Sequence, residues 1–469
     1  MHDDTSLHFN TITEIADLIK SGQLSPVELT QALLDRIERL DSRFKSYATV
    51  MADHALAAAK AAEQDIGAGN YRGPLHGVPV AVKDLCFTQG VRTMGGSKVL
   101  ADYIPGFDST VVARLNAAGA ILLGKLNLTE GAMGGYNPDF DIPVNPWGAD
   151  RWAGASSSGS GVATAAGLCF GSLGSDTGGS IRFPAAACGV VGLKPTWGRV
   201  SRYGVLGLAE SLDHVGPLTR STADAAIVLQ AIAGHDPNDP TSLLEPVPDM
   251  IQALTSGVNG IRIGYDERYA TQDVDPELAE AVSAGIRVLE GLGANIVEAK
   301  LPALDDYLAA WPILCSAEAV AAHEATYPAH RDTYGPWFRD WLDQGARVSG
   351  ADYAKANALR AACNGRLRAV WEGIDVLACP AMPTPPLPVT PEALYGSIPS
   401  RGFEMAGLRF TAPYDFNGVP TLSVPCGLTH DGLPLSLQFV GKHLGEALLC
   451  RIGHAYEQAT TWHTMRPPI

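Results

Sequence analysis

The chain reads as an α/β protein whose central sheet is covered on both faces. Three observations predict this class. Strand-type and helix-type segments alternate along the 469 residues, the pattern of a sheet flanked by helices. Apolar residues make up 46% of the chain and charged residues 18%, a balance that supplies one large core and excludes disordered, collagenous and coiled-coil chains. The apolar runs Val80-Ala81-Val82 and Gly119–Gly124 read as buried strands.

The elements follow in order. Ile12, Ile15, Leu18 and Ile19 share one helical face. After the Ser21-Gly22 turn, Ser25-Pro26-Val27-Glu28 supplies an N-cap, a proline at the first helical position and a glutamate at the third. Leu29, Leu33, Leu34, Ile37 and Leu40 continue that helix, and the Ala-rich stretch 52–65 forms another. A Gly/Pro-marked lead, Pro74 to Pro79, opens the strand that ends at Lys83-Asp84. Val111–Ala118 predicts a helix before the strand at 119–124. Residues 145–182 are dense in Gly, Ser and Ala. Helices are expected at 222–233, 276–292 and 444–459, and strands at 261–264, 294–297, Thr421–Pro425 and Leu435–Val440. The Pro-rich stretch 380–400 predicts an extended surface loop.

Composition also narrows function. The 34 basic and 50 acidic residues give a formal charge of −16 with no basic run, which argues against a nucleic-acid groove. No stretch of eighteen apolar residues occurs, so no membrane span is predicted. Met1-His2-Asp3-Asp4 lacks a charged-then-apolar signal pattern, and a cytoplasmic location is expected. The eight cysteines, at 86, 169, 188, 315, 363, 379, 426 and 450, form no CxxC pair and no cluster with histidine. They read as free thiols in a reducing compartment.

Three segments carry chemistry. Lys83 closes an apolar strand. Burial disfavours an ammonium, so such a lysine can be neutral near pH 7 and act as a base; alternatively it pairs with Asp84 or extends to solvent. Gly154-Ala155-Ser156-Ser157-Ser158-Gly159-Ser160-Gly161 reads either as a flexible linker or as a close-packed turn into the small, apolar stretch Val162–Gly167. Gly174-Ser175-Asp176-Thr177-Gly178-Gly179-Ser180-Ile181-Arg182 can aim successive backbone N–H groups into one concavity, an anion or oxyanion site beside Ser180. A P-loop would need a lysine where Ile181 stands. G-x-S-x-G and HExxH are absent, and Ser42-Arg43-Phe44-Lys45 fits S-x-x-K without its companion motifs; it reads as a helix end. No histidine spacing suggests a triad, so a serine enzyme here needs another base, for which Lys83 is the candidate.

These segments, with AAGAILLGKLNLTEGA (117–132), NPW (145–147), SLDHVGPLTRS (211–221) and GVPTLSVPCG (418–427), resemble the amidase signature family from about residue 11 to 459. The resemblance implies one large α/β/α domain over 1–469 with a central mixed sheet. It would comprise a helical part (1–70), a catalytic signature core (71–221) and a more variable substrate-side region (235–415). It implies amide hydrolysis by a Ser–cisSer–Lys triad through an acyl-enzyme, without cofactor or metal. The family's lysine falls on Lys83 and its nucleophile on Ser180. The bridging serine, 24 positions before the nucleophile, falls on Ser156. The oxyanion donors fall on the backbone amides of Thr177, Gly178, Gly179 and Ser180. Ala155 and Ser158 stand where the family has glycine, a departure bearing on loop shape and substrate fit.

The expected substrate is a small or aryl amide, with carbamates, ureas and esters as variants of the same acyl chemistry. The alternative is the glutaminase-type component of a tRNA-dependent amidotransferase, which residues 197–242 resemble; that branch's GFGxEVKRRIMLGTY-like stretch is missing. Gly131, Ala132 and Met133 are candidate substrate-binding residues. Trp311, Trp337, Phe338 and Trp341 read either as an apolar subsite or as packing. Arg182 reads as a brace for the nucleophile turn or as a partner for a substrate carboxylate. The expected partner is a small-molecule substrate; a homodimer is compatible with the sequence but not specified by it.

Overall fold

The computed structural model describes residues 7–396 and 405–469. The N-terminal stretch read for a signal and part of the Pro-rich segment, 397–400, lie outside the described residues.

The chain opens with helices α1 (Ile12–Lys20) and α2 (Pro26–Phe44). Thr11 and Glu14 cap α1 reciprocally. Ser25 Oγ accepts the N–H groups of Val27 and Glu28 at the start of α2, with Pro26 as its first residue. Lys45, left-handed at φ 54°, ends it, so Ser42-x-x-Lys45 is a helix terminus. Helix α3 (Ala52–Gly67) turns Ala55, Ala59 and Ala62 inward.

Among the described residues eleven strands form one sheet. Across it run β1 (Tyr47–Val50), β3 (Ile121–Leu126), β2 (Pro79–Lys83), β4 (Gly171–Asp176), β6 (His214–Thr219), β5 (Val191–Lys194), β10 (Thr421–Leu428), β11 (Pro434–Val440), β9 (Val376–Pro380), β7 (Arg262–Tyr265) and β8 (Asn295–Glu298). The sheet is mixed. β2 pairs in parallel with β3 and β4, and β7 with β8 and β9, whereas β4, β6, β5, β10, β11 and β9 pair antiparallel in succession. Every residue of β2 to β6 is buried. Both faces of these strands are therefore covered.

Among the described residues the longer helices that follow are α4 (Thr110–Ala117), α5 (Ser158–Ala165), α6 (Arg182–Cys188), α7 (Thr222–Ile232), α8 (Pro276–Gly291), α9 (Asp305–Ala322), α10 (Pro336–Gly345), α11 (Gly350–Arg368) and α12 (Glu446–Gln458). Helix α5 is buried at all its positions, so the Gly/Ser run before it is no linker. The Pro-rich segment departs from a plain surface loop. Ala381 and Met382 are buried, the 387–389 backbone bonds to Asp150 and Trp152, and Pro391–Tyr395 forms a helical turn. Among the described residues no helix is long and apolar enough to cross a membrane.

Because β2 and β4 are parallel neighbours, their C-terminal ends bring Lys83 and Asp176 to the same edge of the sheet, the side on which open α/β sheets build their sites.

Candidate active site

Lys83 is fully buried at the end of β2. Its Nζ lies 2.6 Å from Ser156 Oγ, 2.9 Å from Ser157 Oγ and 2.9 Å from Ser175 Oγ. The alternative pairing with Asp84 is corrected, because consecutive strand residues face opposite sides. Asp84 turns instead to Lys125, 3.1 Å away and equally buried. Burial pushes the Lys83 amine down to about 7, against the opposing pull of Cys86, Asp176 and Asp213. The neutral amine is thus within reach near neutral pH.

A neutral amine has one lone pair, so one surrounding hydroxyl can donate to it. Ser157 is committed elsewhere. Its Oγ donates to the Ser175 carbonyl at 3.1 Å and accepts the Ser175 N–H at 3.2 Å. Ser156, at the shortest distance, and Ser175 keep their protons available.

The loop carrying Ser156 owes its path to small residues. Gly154 has φ +83°, and a Cβ there would lie 2.4 Å from the Pro184 backbone. The Ala155–Ser156 peptide is cis. Ser158, one of the two departures from glycine, accepts a 2.8 Å hydrogen bond from the Tyr136 hydroxyl. Ala155, the other, is partly exposed on the accessible side.

The nucleophile turn between β4 and α6 is held around Asp176. Its carboxylate accepts the N–H groups of Gly179 (2.7 Å) and Ile181 (2.9 Å) and binds Arg182 through Nε (3.0 Å) and Nη2 (2.7 Å). Burial alone would raise this carboxyl, but the Arg182 charge and hydrogen bonds hold it well below the usual carboxylate range. Arg182 also reaches Asp415 Oδ2 at 2.6 Å and the Thr411 carbonyl at 2.9 Å. Arg182 is fully buried, so it braces the turn and is not placed to meet a substrate carboxylate. Thr177 Oγ1 donates to Asp213 at 2.6 Å, Trp311 Nε1 donates to the Thr177 carbonyl at 3.0 Å, and Thr411 Oγ1 donates to the Gly178 carbonyl at 2.6 Å.

These contacts correct one expectation. The Gly179 amide does not face an oxyanion, since Asp176 takes it. Among the described residues nothing accepts the N–H of Thr177, Gly178 or Ser180. Ser180 is partly exposed, whereas Lys83 and Ser156 are not. The Ser157 N–H donates to the Ser180 carbonyl at 3.3 Å, which sets the two serine segments side by side. No hydrogen bond joins Ser156 Oγ to Ser180 Oγ among the described residues, a contact that catalytic pairs commonly tighten only with substrate bound.

The segment Gly131-Ala132-Met133 follows Thr129, whose N–H donates to the Ser156 carbonyl at 3.3 Å. Gly131 is half-buried; Ala132 and Met133 are buried. Trp311, Trp337, Phe338 and Trp341 are also buried. A Cβ on Gly131 would meet the Phe338 ring at 2.2 Å, and one on Gly178 would meet Trp311 at 2.6 Å. These aromatics pack against the glycines of both loops. Sequence reasoning did not single out Ser157, Ser175, Asp176, Asp213 or Asp415. The Ser-run and the Ser175-Asp176 pair beside Thr177 offered a signal for the first three; Asp415, 233 residues from Arg182, offered none. Among the described residues no group of three His, Cys, Asp or Glu side chains could hold a metal ion.

A family model described as Amidase matches residues 28–450. A Mycobacterium tuberculosis (strain ATCC 25618 / H37Rv) protein that carries the name "Putative amidase AmiD" is 46% identical over 467 residues, covering 100% of this chain and 98% of its own. A glutamyl-tRNA(Gln) amidotransferase subunit from Geobacter metallireducens is 42% identical, covering 98% and 99% of the two chains. Among solved structures, a bacterial aryl acylamidase of the amidase signature family superposes with a TM-score of 0.87 at 27% identity, covering 98% of each chain. The peptide amidase PAM in complex with chymostatin superposes at 0.85 and 31% identity, covering 98% and 99%.

Proposed function

The chain belongs to the amidase signature family, and on that premise we propose that it hydrolyses small or aryl amides through an acyl-enzyme on Ser180, with Lys83 as base and Ser156 as the bridge between them. The observation that carries this reading is the 2.6 Å contact between Lys83 Nζ and Ser156 Oγ, inside a buried site that adjoins a partly exposed serine.

Neutral Lys83 takes the Ser156 proton as Ser156 takes that of Ser180. The freed Ser180 oxygen attacks the amide carbon, and the carbonyl oxygen becomes an oxyanion. The amides of Thr177, Gly178 and Ser180 receive it, a stabilisation of about 3–4 kcal/mol per key donor. On collapse the proton returns from Lys83 through Ser156 to the leaving nitrogen, the C–N bond breaks and the amine departs. Water then attacks the ester, gives its proton to the same relay, and Ser180 regains it as the acid leaves.

The sign of the pH dependence follows. Below about pH 7 Lys83 carries its proton and cannot accept another. Activity is therefore expected to rise with pH through that region and level off on the alkaline side. The check is the pH profile of kcat/KM; a rate that falls steadily from pH 6 to 9 with the fold intact contradicts the role of Lys83.

Carbamates, ureas and esters are expected to be cleaved by the same acyl chemistry, in an order that a chromatographic screen against anilides and aliphatic amides would establish. The similarity to an amidotransferase subunit supports a second reading, in which the chain serves as the glutaminase-type component of a complex. The purified chain alone, given a simple anilide, decides between them: turnover without partners is the expected result, and silence that only partner proteins relieve would favour the second.

A further inference from the structure

A cavity of about 190 Å³ reaches Ser175 and touches Ala132 of the 131–133 segment. Ser175, Arg202, Gly207, Glu210, Asp213 and Ala322 are among the residues that bound it, and none of residues 177–180 does. Its inner end is Ser175, whose Oγ is one of the three partners of Lys83 Nζ. Its outer end is open at Glu210 and Ala322, both exposed; Glu210 pairs with Arg202 at 2.9 Å across the rim. A space of ~10–15 Å³ holds one water, so the cavity has room for a chain of them. Among the described residues the Ser175 hydroxyl proton has no acceptor carbonyl or carboxylate, unlike that of Ser157.

We propose that this cavity is a second solvent port to Lys83, through which the amine exchanges its proton by way of Ser175 while substrate covers the Ser180 side. The inference rests on Lys83 being the base. The step balances without a co-reactant other than water. An ammonium Lys83 gives one proton to Ser175 Oγ as the Ser175 hydroxyl proton passes to water in the cavity, leaving neutral amine and hydronium; the reverse charges the lysine again.

The charged and titratable groups that face Lys83 are Cys86, Asp176 and Asp213; Arg202, Glu210, Asp213 and His214 face the cavity. Asp213 needs separating from the lysine, because burial raises its carboxyl to about 6. Two variants do this. A Cβ on Gly207 would meet only Asp213 Oδ2 at 3.7 Å and Ala322 Cβ at 3.8 Å, and its φ is ordinary. Gly207→Leu therefore starts from an unobstructed Cβ position and extends apolar volume into the cavity. Ser175→Ala removes the inner link, and Asp213 hydrogen-bonds to Thr177, Leu208 and Ala209, not to Ser175.

Excluding solvent, or removing an acceptor, disfavours the ammonium. Both variants are expected to move the acid limb of the kcat profile, which reports the substrate-covered enzyme, to lower pH, raising the ratio of rates at pH 6 and pH 9 by about threefold or more. Gly207→Leu should retain its alkaline plateau, and Ser175→Thr should restore the wild-type limb. If Gly207→Leu does not fold, Ala322→Leu fills the same cavity from its mouth. A limb that stays in place in the folded variants overturns the proposal, as does a limb moved by Gly207→Leu but not by Ser175→Ala, which would make Asp213 the group sensed. Failure of the underlying reading has a different signature: Lys83→Ala would then turn over like wild type, whatever the cavity variants do.

Discussion

Ser180→Ala is expected to abolish turnover, with a loss in kcat on the order of a million-fold, as when other acyl-transfer enzymes lose their serine. The size follows from the surroundings. Ser180 is the one member of Lys83, Ser156 and Ser180 that is not fully buried, so it is the hydroxyl that substrate can reach. All eight cysteines are buried and free, and burial raises thiols such as Cys86 and Cys188, so no second nucleophile stands ready to replace it. The substitution removes one exposed oxygen and should leave the melting temperature close to that of wild type. Hydrolysis of an anilide by the folded variant within tenfold of wild type contradicts the proposal. Trapping the acyl group and mapping it by mass spectrometry gives an independent check, because any residue other than Ser180 bearing it does the same.

Lys83→Ala is the second large effect. General acid–base catalysis by one positioned group is worth up to about 10⁴-fold, and here one group serves both attack and departure. The substitution also leaves three hydroxyls without their common partner, so a loss of several orders of magnitude is expected. Lys83→Met keeps the volume of the side chain while removing the amine, and should lose as much activity with less effect on stability. The decisive readout is the shape of the residual pH profile. Without an amine titrating near 7, the acid limb in that region should vanish from whatever activity remains. A residual rate that keeps the wild-type limb, or wild-type-like hydrolysis at neutral pH, would exclude Lys83 as the base.

Much of this site is written in local sequence. Ser25-Pro26-Val27-Glu28 states a helix start because cap, proline and glutamate act within one turn. A lysine at the end of Pro79–Lys83 announces itself because every other residue there is apolar or proline. The glycines of 178–179 are legible because a turn this tight admits no Cβ beside Trp311 and Phe183. What stayed hidden depends on distance along the chain. β5 and β6 are short and carry glycine, proline or polar residues at buried positions, so neither period 2 nor an apolar run marks them. Helix α9 is packed by both α10 and α11, which erases the amphipathic stripe that would have revealed it. Asp84 looked like the partner of Lys83 by adjacency, and the pleat sends it to Lys125 instead. Gly179 looked like an oxyanion donor by position, and the carboxylate three residues earlier claims its amide.

The brace on the nucleophile turn has a consequence for biosynthesis. Arg182 is anchored by Asp415 and by the Thr411 carbonyl, and Thr411 also holds Gly178. The lysine and both serines precede that clasp in the chain, with Asp415 lying 233 residues after Arg182, so during synthesis the reactive loop is made long before the residues that hold its shape.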